Sequence, residues 1–348
     1  MKKWKKNIRQ VVPYVPGEQP KDSNIIKLNT NENPYPPAPG VIDALSETRN
    51  LRLYPDPAAS ALVEAIADYK GLSANQVFVG VGSDDVLAMS FMTFFNSDRP
   101  ILFPDITYSF YDVWADLFRI PYEVQALDED FRIRKEDYYK ENGGIIFPNP
   151  NAPTGVLMPL SDIEDILAAN QDVIVIVDEA YIDFGGVSAR SLLDRYDNLL
   201  VVQTFSKSRS MAGVRIGYAM GSSDLIRALN DVKYSFNSYT MNQPSIVLGA
   251  ASIRDEDYFR ETVGRIVETR EWFKEELARL GFTFPDSRAN FVFVSHKTAA
   301  ARDIFAAAKK RGIYVRYFDK PRIDNYLRIT IGTREEMQAL LDFLAEYL

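Results

Sequence analysis

The sequence predicts an α/β fold: a large domain built on a mostly parallel sheet between helices, preceded by an extended N-terminal arm and followed by a smaller C-terminal α/β domain. Short continuous apolar runs carry most of this expectation. They occur at Ile101-Leu102-Phe103, Gly144 to Phe147, Val173 to Val177, Leu199 to Gln203 and Arg215 to Ala219, with helix-like stretches such as Ser161 to Ala169 and Ser223 to Val232 between several of them. Apolar strands that do not alternate with polar residues are covered on both faces, as in parallel sheets. Length points the same way, because 348 residues exceed one small core and suggest about two domains. The polar residues best suited to chemistry follow strand ends, where open α/β sheets bind ligands.

In chain order, residues 1–40 are rich in turn-formers, among them Pro13, Pro16, Gly17, Pro20, Pro34, Pro36, Pro37 and Pro39, and read as the arm. Within it, Asn29-Thr30-Asn31-Glu32-Asn33-Pro34 reads as a run of Asx turns, the alternative being the wall of a polar pocket. Ala58 to Lys70 places Leu62, Ala65, Ile66 and Tyr69 at helical spacing, with Gly71 as a stop. Val77-Phe78-Val79 then reads as a strand entering Gly80-Val81-Gly82-Ser83-Asp84-Asp85, followed by a helix from Val86 to Phe95. Such a strand, glycine turn and helix start aims free N–H groups at an anion. The last glycine of a GxGxxG fingerprint is missing, which favours a phosphate over a dinucleotide; a plain tight turn is the alternative.

From Gln243 to Leu280 the chain reads as mostly helical, with Trp272, Phe273, Leu277 and Leu280 on one stripe before Gly281. A smaller unit follows: strand Phe291 to Ser295, helix Thr298 to Lys310, strands Ile313 to Tyr317 and Tyr326 to Ile331, and helix Arg334 to Tyr347. The expected division is an arm over 1–40, a large domain over 41–265 and a small domain over 266–348.

Composition is that of a globular protein, 46% hydrophobic and 25% charged. A net charge of −8 argues against nucleic acid or an anionic membrane as partner, since both need basic stripes. No apolar run approaches a membrane span, and the basic cluster Lys2-Lys3-Trp4-Lys5-Lys6 has no apolar stretch behind it, so no signal peptide is expected. The chain has no cysteine, which removes thiolate chemistry and fits a cytoplasmic location. Its one histidine, His296, is expected in a solvated turn and cannot build a multi-histidine metal site. No metal is expected, and acid–base work falls to lysine, tyrosine or carboxylates.

Three strand ends carry the candidate chemistry. Pro148-Asn149-Pro150-Asn151-Ala152-Pro153-Thr154-Gly155 is a turn that presents polar side chains. Asp178-Glu179-Ala180-Tyr181 follows Val173 to Val177, which puts a carboxylate at the end of a buried strand, costly unless a cation holds it; a helix cap or a structural ion pair is the alternative. Thr204-Phe205-Ser206-Lys207-Ser208-Arg209 brings a lysine out of the strand Leu199 to Gln203, ahead of Arg215. Alone, Lys207 is a loop residue. A partly desolvated lysine can also form a Schiff base. A Schiff-base lysine, a buried aspartate for a pyridinium nitrogen and a helix start with an arginine for a phosphate are what pyridoxal phosphate requires.

With these motifs in place, the chain resembles the fold-type I pyridoxal-phosphate aminotransferases of the class-II family, and within them the branch acting on histidinol phosphate. The likeness runs from Pro13-Tyr14 to the C-terminal helix and is most specific at Asn29 to Pro34, Tyr54-Pro55-Asp56, Asn149 to Gly155, Val177 to Tyr181, Ser206-Lys207 through Arg215, and Leu327 to Gly332. It implies transamination between L-histidinol phosphate and 2-oxoglutarate in two half-reactions, within histidine biosynthesis. It implies Lys207 as the Schiff-base lysine and proton carrier, Asp178 against the pyridine nitrogen, Tyr181 on the ring hydroxyl and Tyr108 stacked on the ring, where core packing is the usual fate of a tyrosine. Ser83, Asp84, Ser206 and Arg215 match the phosphate cradle. Tyr54 matches a tyrosine reaching the cofactor phosphate of the other subunit, which implies a homodimer. Tyr14, Asn31, Arg316 and Arg328 match the substrate site; without the resemblance, Arg328 would read as a surface ion pair.

The sequence departs from the family pattern twice. Ala152 stands where an asparagine usually precedes Pro-Thr-Gly, with Asn151 one place earlier as the candidate for the ring contact, and Asp85 replaces a longer glutamate. The alternatives are a threonine-phosphate decarboxylase, an aromatic aminotransferase and, from another class, a non-catalytic binding domain of the same fold.

Overall fold

The computed structural model describes residues 2–20, 24–48 and 51–348; residues 1 and 21–23 of the expected arm lie outside these. The arm is not extended throughout. Lys3–Asn7 form an exposed 3-10 turn, and β1 (Ile26–Lys27) pairs in parallel with Ile313–Tyr314, tying the arm to the C-terminal unit. Helices α1 (Pro39–Ala44) and α2 (Ser60–Lys70) follow; α2 stops at Gly71, which takes the left-handed conformation that glycine adopts at no steric cost.

The main sheet then builds up in chain order, through β2 (Val77–Gly80), α3 (Ser83–Phe94), β3 (Ile101–Pro104), α4 (Tyr111–Phe118), β4 (Tyr122–Gln125), β5 (Ile145–Pro148), α5 (Leu160–Ala169), β6 (Val175–Asp178), β7 (Leu199–Thr204) and β8 (Gly217–Met220). Its seven strands lie in the order β2-β8-β7-β6-β5-β3-β4. Six are parallel and β8 alone runs against them. Strands β2, β3, β5, β6, β7 and β8 are buried along their whole length, as continuous apolar runs require when helices cover both faces. The reversal of β8 decides where an arginine goes. Arg215 was expected inside this strand but precedes it, in the left-handed region at φ +58°. Because β8 is antiparallel, its start lies at the edge where β2, β6 and β7 end, with Gly217 opposite both Gly80 and Thr204. A Cβ on Gly217 would collide with the Gly82–Ser83 backbone, so the close approach of these segments requires glycine.

Helices α6 (Ser223–Phe236), α7 (Gln243–Arg254) and α8 (Glu256–Arg279) lead away from the sheet. The C-terminal unit then comprises β9 (Phe282–Thr283), β10 (Phe291–His296), α9 (Ala301–Lys310), β11 (Ile313–Tyr314), β12 (Arg316–Tyr317), β13 (Leu327–Thr330) and α10 (Arg334–Tyr347). Strands β12-β13-β10-β9 make an antiparallel sheet. A capping box at Thr333 and Glu336 starts α10. Tyr258, early in α8, packs on the large core, whereas Ile266, Phe273 and Leu277 belong to the core of the smaller unit. We propose the division of the chain within this helix, which spans residue 265. His296 departs from its expected solvated turn: it is buried at the end of β10, with Nε2 3.0 Å from Leu280 O and Nδ1 accepting from Ala299 N–H at 2.9 Å.

Candidate active site

Lys207 sits on a loop pinned at both ends. Phe205 is fully buried; its N–H donates to Ile216 O at 3.0 Å and its carbonyl accepts from Met211 N–H at 3.1 Å. The lysine between them is half-buried, with Nζ donating to Thr30 O at 3.3 Å and lying 5.8 Å from the centre of the Tyr181 ring. Among the described residues no carboxylate stands within ion-pair distance of it.

Asp178 ends β6, and only 4% of it is exposed. Tyr111 donates its hydroxyl to one carboxylate oxygen at 2.9 Å and Ala180 N–H donates to the other at 3.2 Å. Burial still dominates and pushes the carboxyl up to about 6, against the pull of these hydrogen bonds. A shift of that order costs roughly 3 kcal/mol when the group is ionised. The fully buried Val175, Ile176 and Val177 each return about 1.5–3 kcal/mol, so the strand can carry one expensive carboxylate to its end. No cation pairs with Asp178 among the described residues.

An anion cradle faces this carboxylate. The first turn of α3 leaves the N–H groups of Ser83 and Asp84 without helical partners. Gly82, at φ +85°, leaves room for the Arg215 guanidinium, which a side chain there would strike. Arg215 Nη1 donates to Ser206 Oγ at 3.4 Å and Ala212 O at 3.2 Å, while Nη2 lies 3.4 Å from Asp84 Oδ2. Tyr108 donates to Asp84 Oδ1 at 2.7 Å, and burial, then the Asp84 charge, keep that phenol protonated well beyond its ordinary range. Ser83, Tyr108, Asp178, Ser206, Lys207 and Arg215 together line one cavity of about 170 Å³.

A second cavity of about 280 Å³ shares Tyr108, Tyr181 and Lys207 with the first and adds Tyr14, Asn31, Arg316 and Arg328. Tyr14, from the arm, stacks on Phe110 at 4.1 Å. Arg328 is no surface ion pair. Its Nη2 donates to Asn29 O at 3.0 Å, its Nε has no partner among the described residues, and burial presses its pKa below the arginine norm, with Arg316 adding to the effect. Neither guanidinium has a carboxylate within ion-pair distance among the described residues. Two adjacent unpaired arginines make an anion site. Asn31, 1% exposed, donates to the Tyr181 hydroxyl at 2.9 Å. The Asn29 to Pro34 stretch therefore forms a pocket wall, in addition to the turns expected of it.

Two of the expected residues stand outside both cavities. Tyr54 is 81% exposed and stacks on Tyr239 at 4.7 Å. Asn151 is buried and its amide N–H groups go to Ile106 O and Thr154 Oγ1, each at 3.0 Å, holding the turn; Ala152 is the residue on the cavity wall. Sequence reasoning missed Tyr111, Thr30 and Glu32. Tyr111 lies in a stretch to which the sequence reading assigned no element. Glu32 lines the first cavity, held by an ion pair from Lys27 and a 2.7 Å hydrogen bond from Thr30; its place within the Asn29 to Pro34 cluster was the available signal. Larger cavities of about 580 and 600 Å³ contain none of the expected residues.

Residues 23–344 match the family model described as aminotransferase class I and II. The histidinol-phosphate aminotransferase of Lactococcus lactis subsp. lactis is 52% identical, over 99% of this chain and 96% of its own length. Histidinol-phosphate aminotransferase 1 of Methylococcus capsulatus is 55% identical, over 99% and 97%. The crystal structure of histidinol-phosphate aminotransferase from Sinorhizobium meliloti in complex with pyridoxal-5′-phosphate superposes with a TM-score of 0.84 at 22% identity, covering 92% of this chain and 91% of that one. The expected fold-type I architecture holds. With relatives more than half identical along nearly their whole length, the chain belongs to the aminotransferase class I and II family.

Proposed function

We propose that the chain is an enzyme exchanging an amino group between L-histidinol phosphate and 2-oxoglutarate, with pyridoxal 5′-phosphate as cofactor. The observation that carries this is Asp178, a buried carboxylate with no cationic partner, in one cavity with Lys207 and with an arginine at a helix start. A cationic ring nitrogen relieves the Asp178 penalty, and the Arg215 cradle suits a phosphate. The residues present therefore fit the cofactor. The names of the close relatives, and an arginine pair able to take either a phosphate or a carboxylate, support the substrates.

Pyridoxal phosphate, when bound, supplies an electron sink for the charge left on the substrate Cα. Lys207 Nζ is the base that removes the Cα proton and the acid that returns it. Asp178, oriented by Tyr111, holds the ring nitrogen charged. Tyr108 is tethered to Asp84 so that its ring faces the cavity, and the Tyr181 hydroxyl serves the ring oxygen. Ser206, Arg215 and the α3 N–H groups hold the phosphate. Arg316 and Arg328 bind the substrate anion, while Tyr14 closes that side.

A homodimer is part of the proposal, with Tyr54 reaching the partner's cofactor phosphate; the exposed Leu51, Leu53, Tyr54, Phe236 and Tyr239 supply an apolar face for it. No described helix is long and apolar enough to cross a membrane, and a cytoplasmic location is proposed from the lack of cysteine. The test is a coupled assay on purified protein. Glutamate formation from 2-oxoglutarate and histidinol phosphate, and its loss in Lys207→Ala, is the expected result. Carbon dioxide release from threonine phosphate, with no glutamate formed, overturns the reading.

A further inference from the structure

Thr330 lies two residues beyond Arg328 on β13, on the same side of the strand, and starts a buried chain of hydrogen bonds ending at Tyr181. Asn31 N–H donates to Thr330 Oγ1 at 3.0 Å, and the Thr330 hydroxyl donates to Asn31 Oδ1 at 3.1 Å. Asn31 Nδ2 then donates to Tyr181 OH at 2.9 Å, while Asn290 Nδ2 holds Asn31 O at 3.0 Å. Thr330, Asn31, Asn290 and Tyr181 are all buried.

The direction of every proton follows from simple counting. A hydroxyl has one proton, and Thr330 Oγ1 already accepts from Asn31 N–H, so its own proton goes to Asn31 Oδ1. That makes the Asn31 oxygen an acceptor and turns its NH₂ group toward Tyr181. The phenol oxygen thereby receives a donor, and the phenol proton is left to point elsewhere. Asn31 is held for this at φ +57°, a backbone conformation that a short polar residue tolerates and most others do not. The turn after β5 adds no amide donor to the cavity, because Ala152 lines it and the Asn151 NH₂ group donates to Ile106 O and Thr154 Oγ1 instead.

We propose that Thr330 and Asn31 are positioning residues that fix the Tyr181 hydroxyl as a permanent donor into the cavity, toward the ring oxygen of the bound cofactor. The inference rests on the reading that pyridoxal phosphate binds beside Lys207. A donor to the ring oxygen lowers its basicity, so the proton shared between that oxygen and the lysine–cofactor linkage is lost at lower pH. Breaking the relay raises the pH at which the visible absorbance of the bound cofactor titrates. The charged and titratable groups that share the two cavities with Tyr181 or act on it are Lys207, Asp178, Asp84, Glu32, Tyr14, Tyr108, Tyr111, Arg215, Arg316 and Arg328, and none of them is changed in the variants below.

The test is a pH titration of visible absorbance on cofactor-loaded parent, Thr330→Val, Thr330→Ser and Tyr181→Phe, with melting temperatures alongside. The expected midpoint rises by about one pH unit in Tyr181→Phe and by roughly half a unit in Thr330→Val, and returns to the parent value in Thr330→Ser. If Thr330→Val does not fold, Thr330→Ala removes the same hydroxyl without adding bulk. A Thr330→Val midpoint equal to the parent's, while Tyr181→Phe is shifted, overturns the relay and leaves Thr330 a purely structural residue. An unshifted Tyr181→Phe overturns instead the placement of Tyr181 against the cofactor, on which the relay depends.

Discussion

The two joined cavities are built on opposite plans. The first is assembled mainly at one edge of the large, mostly parallel sheet, with Thr30 and Glu32 added from the arm, and its polar groups are largely engaged already: Asp178 with Tyr111, Asp84 with Tyr108 and Arg215, Ser206 with Thr204 and Arg215. The second gathers segments far apart in the chain, the arm at Tyr14 and Asn31, the turn at Tyr108, and β12 and β13, and leaves two guanidinium groups without carboxylate partners among the described residues. The difference matches the division of labour. A cofactor that stays bound suits a preorganised, satisfied cradle, whereas substrates of different shape that alternate suit donors left free until each arrives.

Removing Lys207 tests the preorganised side hardest. Lys207→Ala is expected to lower amino transfer by more than about 10³-fold, since base and covalent attachment go together, with the visible absorbance of the bound cofactor lost while the fold survives. On the open side, Arg328→Ala is expected to cut kcat/KM for both substrates by about 100-fold, in line with roughly 1.5–3 kcal/mol per charged hydrogen bond. Most of that loss should fall on KM, and the absorbance titration of the free holoenzyme should not move. An equal loss for an anion-free amine would erase the distinction between the two cavities.

Asp178 gives the first cavity a pH signature that the second lacks. Its folded-state value, about 6, lies above the reference value of 3.8, so the protonated form is the better-tolerated one in the cofactor-free protein. Its contribution is fully present below pH 3.8 and is lost as pH rises through about 6. Asp178→Asn is therefore expected to stabilise the cofactor-free protein by up to about 3 kcal/mol at pH 7, with little effect at pH 4, measured by urea denaturation. Glu179, pushed up to about 7 by burial, adds a parallel trend in both proteins and cancels in the comparison. A smaller effect is expected at Arg316: Arg316→Ala should raise KM by about tenfold and leave kcat nearly unchanged.

The contrast also explains how far the sequence could be read. The sheet was legible because strands covered on both faces must be continuous apolar runs, and Asp178, Lys207 and the helix start at Ser83 were legible because they interrupt such runs. Arg215 was placed inside a strand because nothing local marks β8 as reversed; that reversal is set by its neighbours β2 and β7. Helix α4 and strand β4 went unseen, so Tyr111, the partner that orients Asp178, stayed hidden in an ordinary aromatic pattern. In the second cavity, the residues meet only through tertiary packing, so their roles came from family resemblance, while Thr330 was marked only as part of the Leu327 to Gly332 motif, with no role attached. His296 was misplaced for the same reason, since its burial depends on Leu280 and Ala299 folding over it.

The most direct test of the central claim is a half-reaction without an amino acceptor. Cofactor-loaded protein is mixed with L-histidinol phosphate alone, and keto product is counted against sites; 2-oxoglutarate is then added and glutamate is counted. About one keto product per site is expected in the first step and one glutamate per site in the second, because the protein holds the amino group between the two. Keto product that forms only when both substrates are present, or none from histidinol phosphate at all, would contradict it.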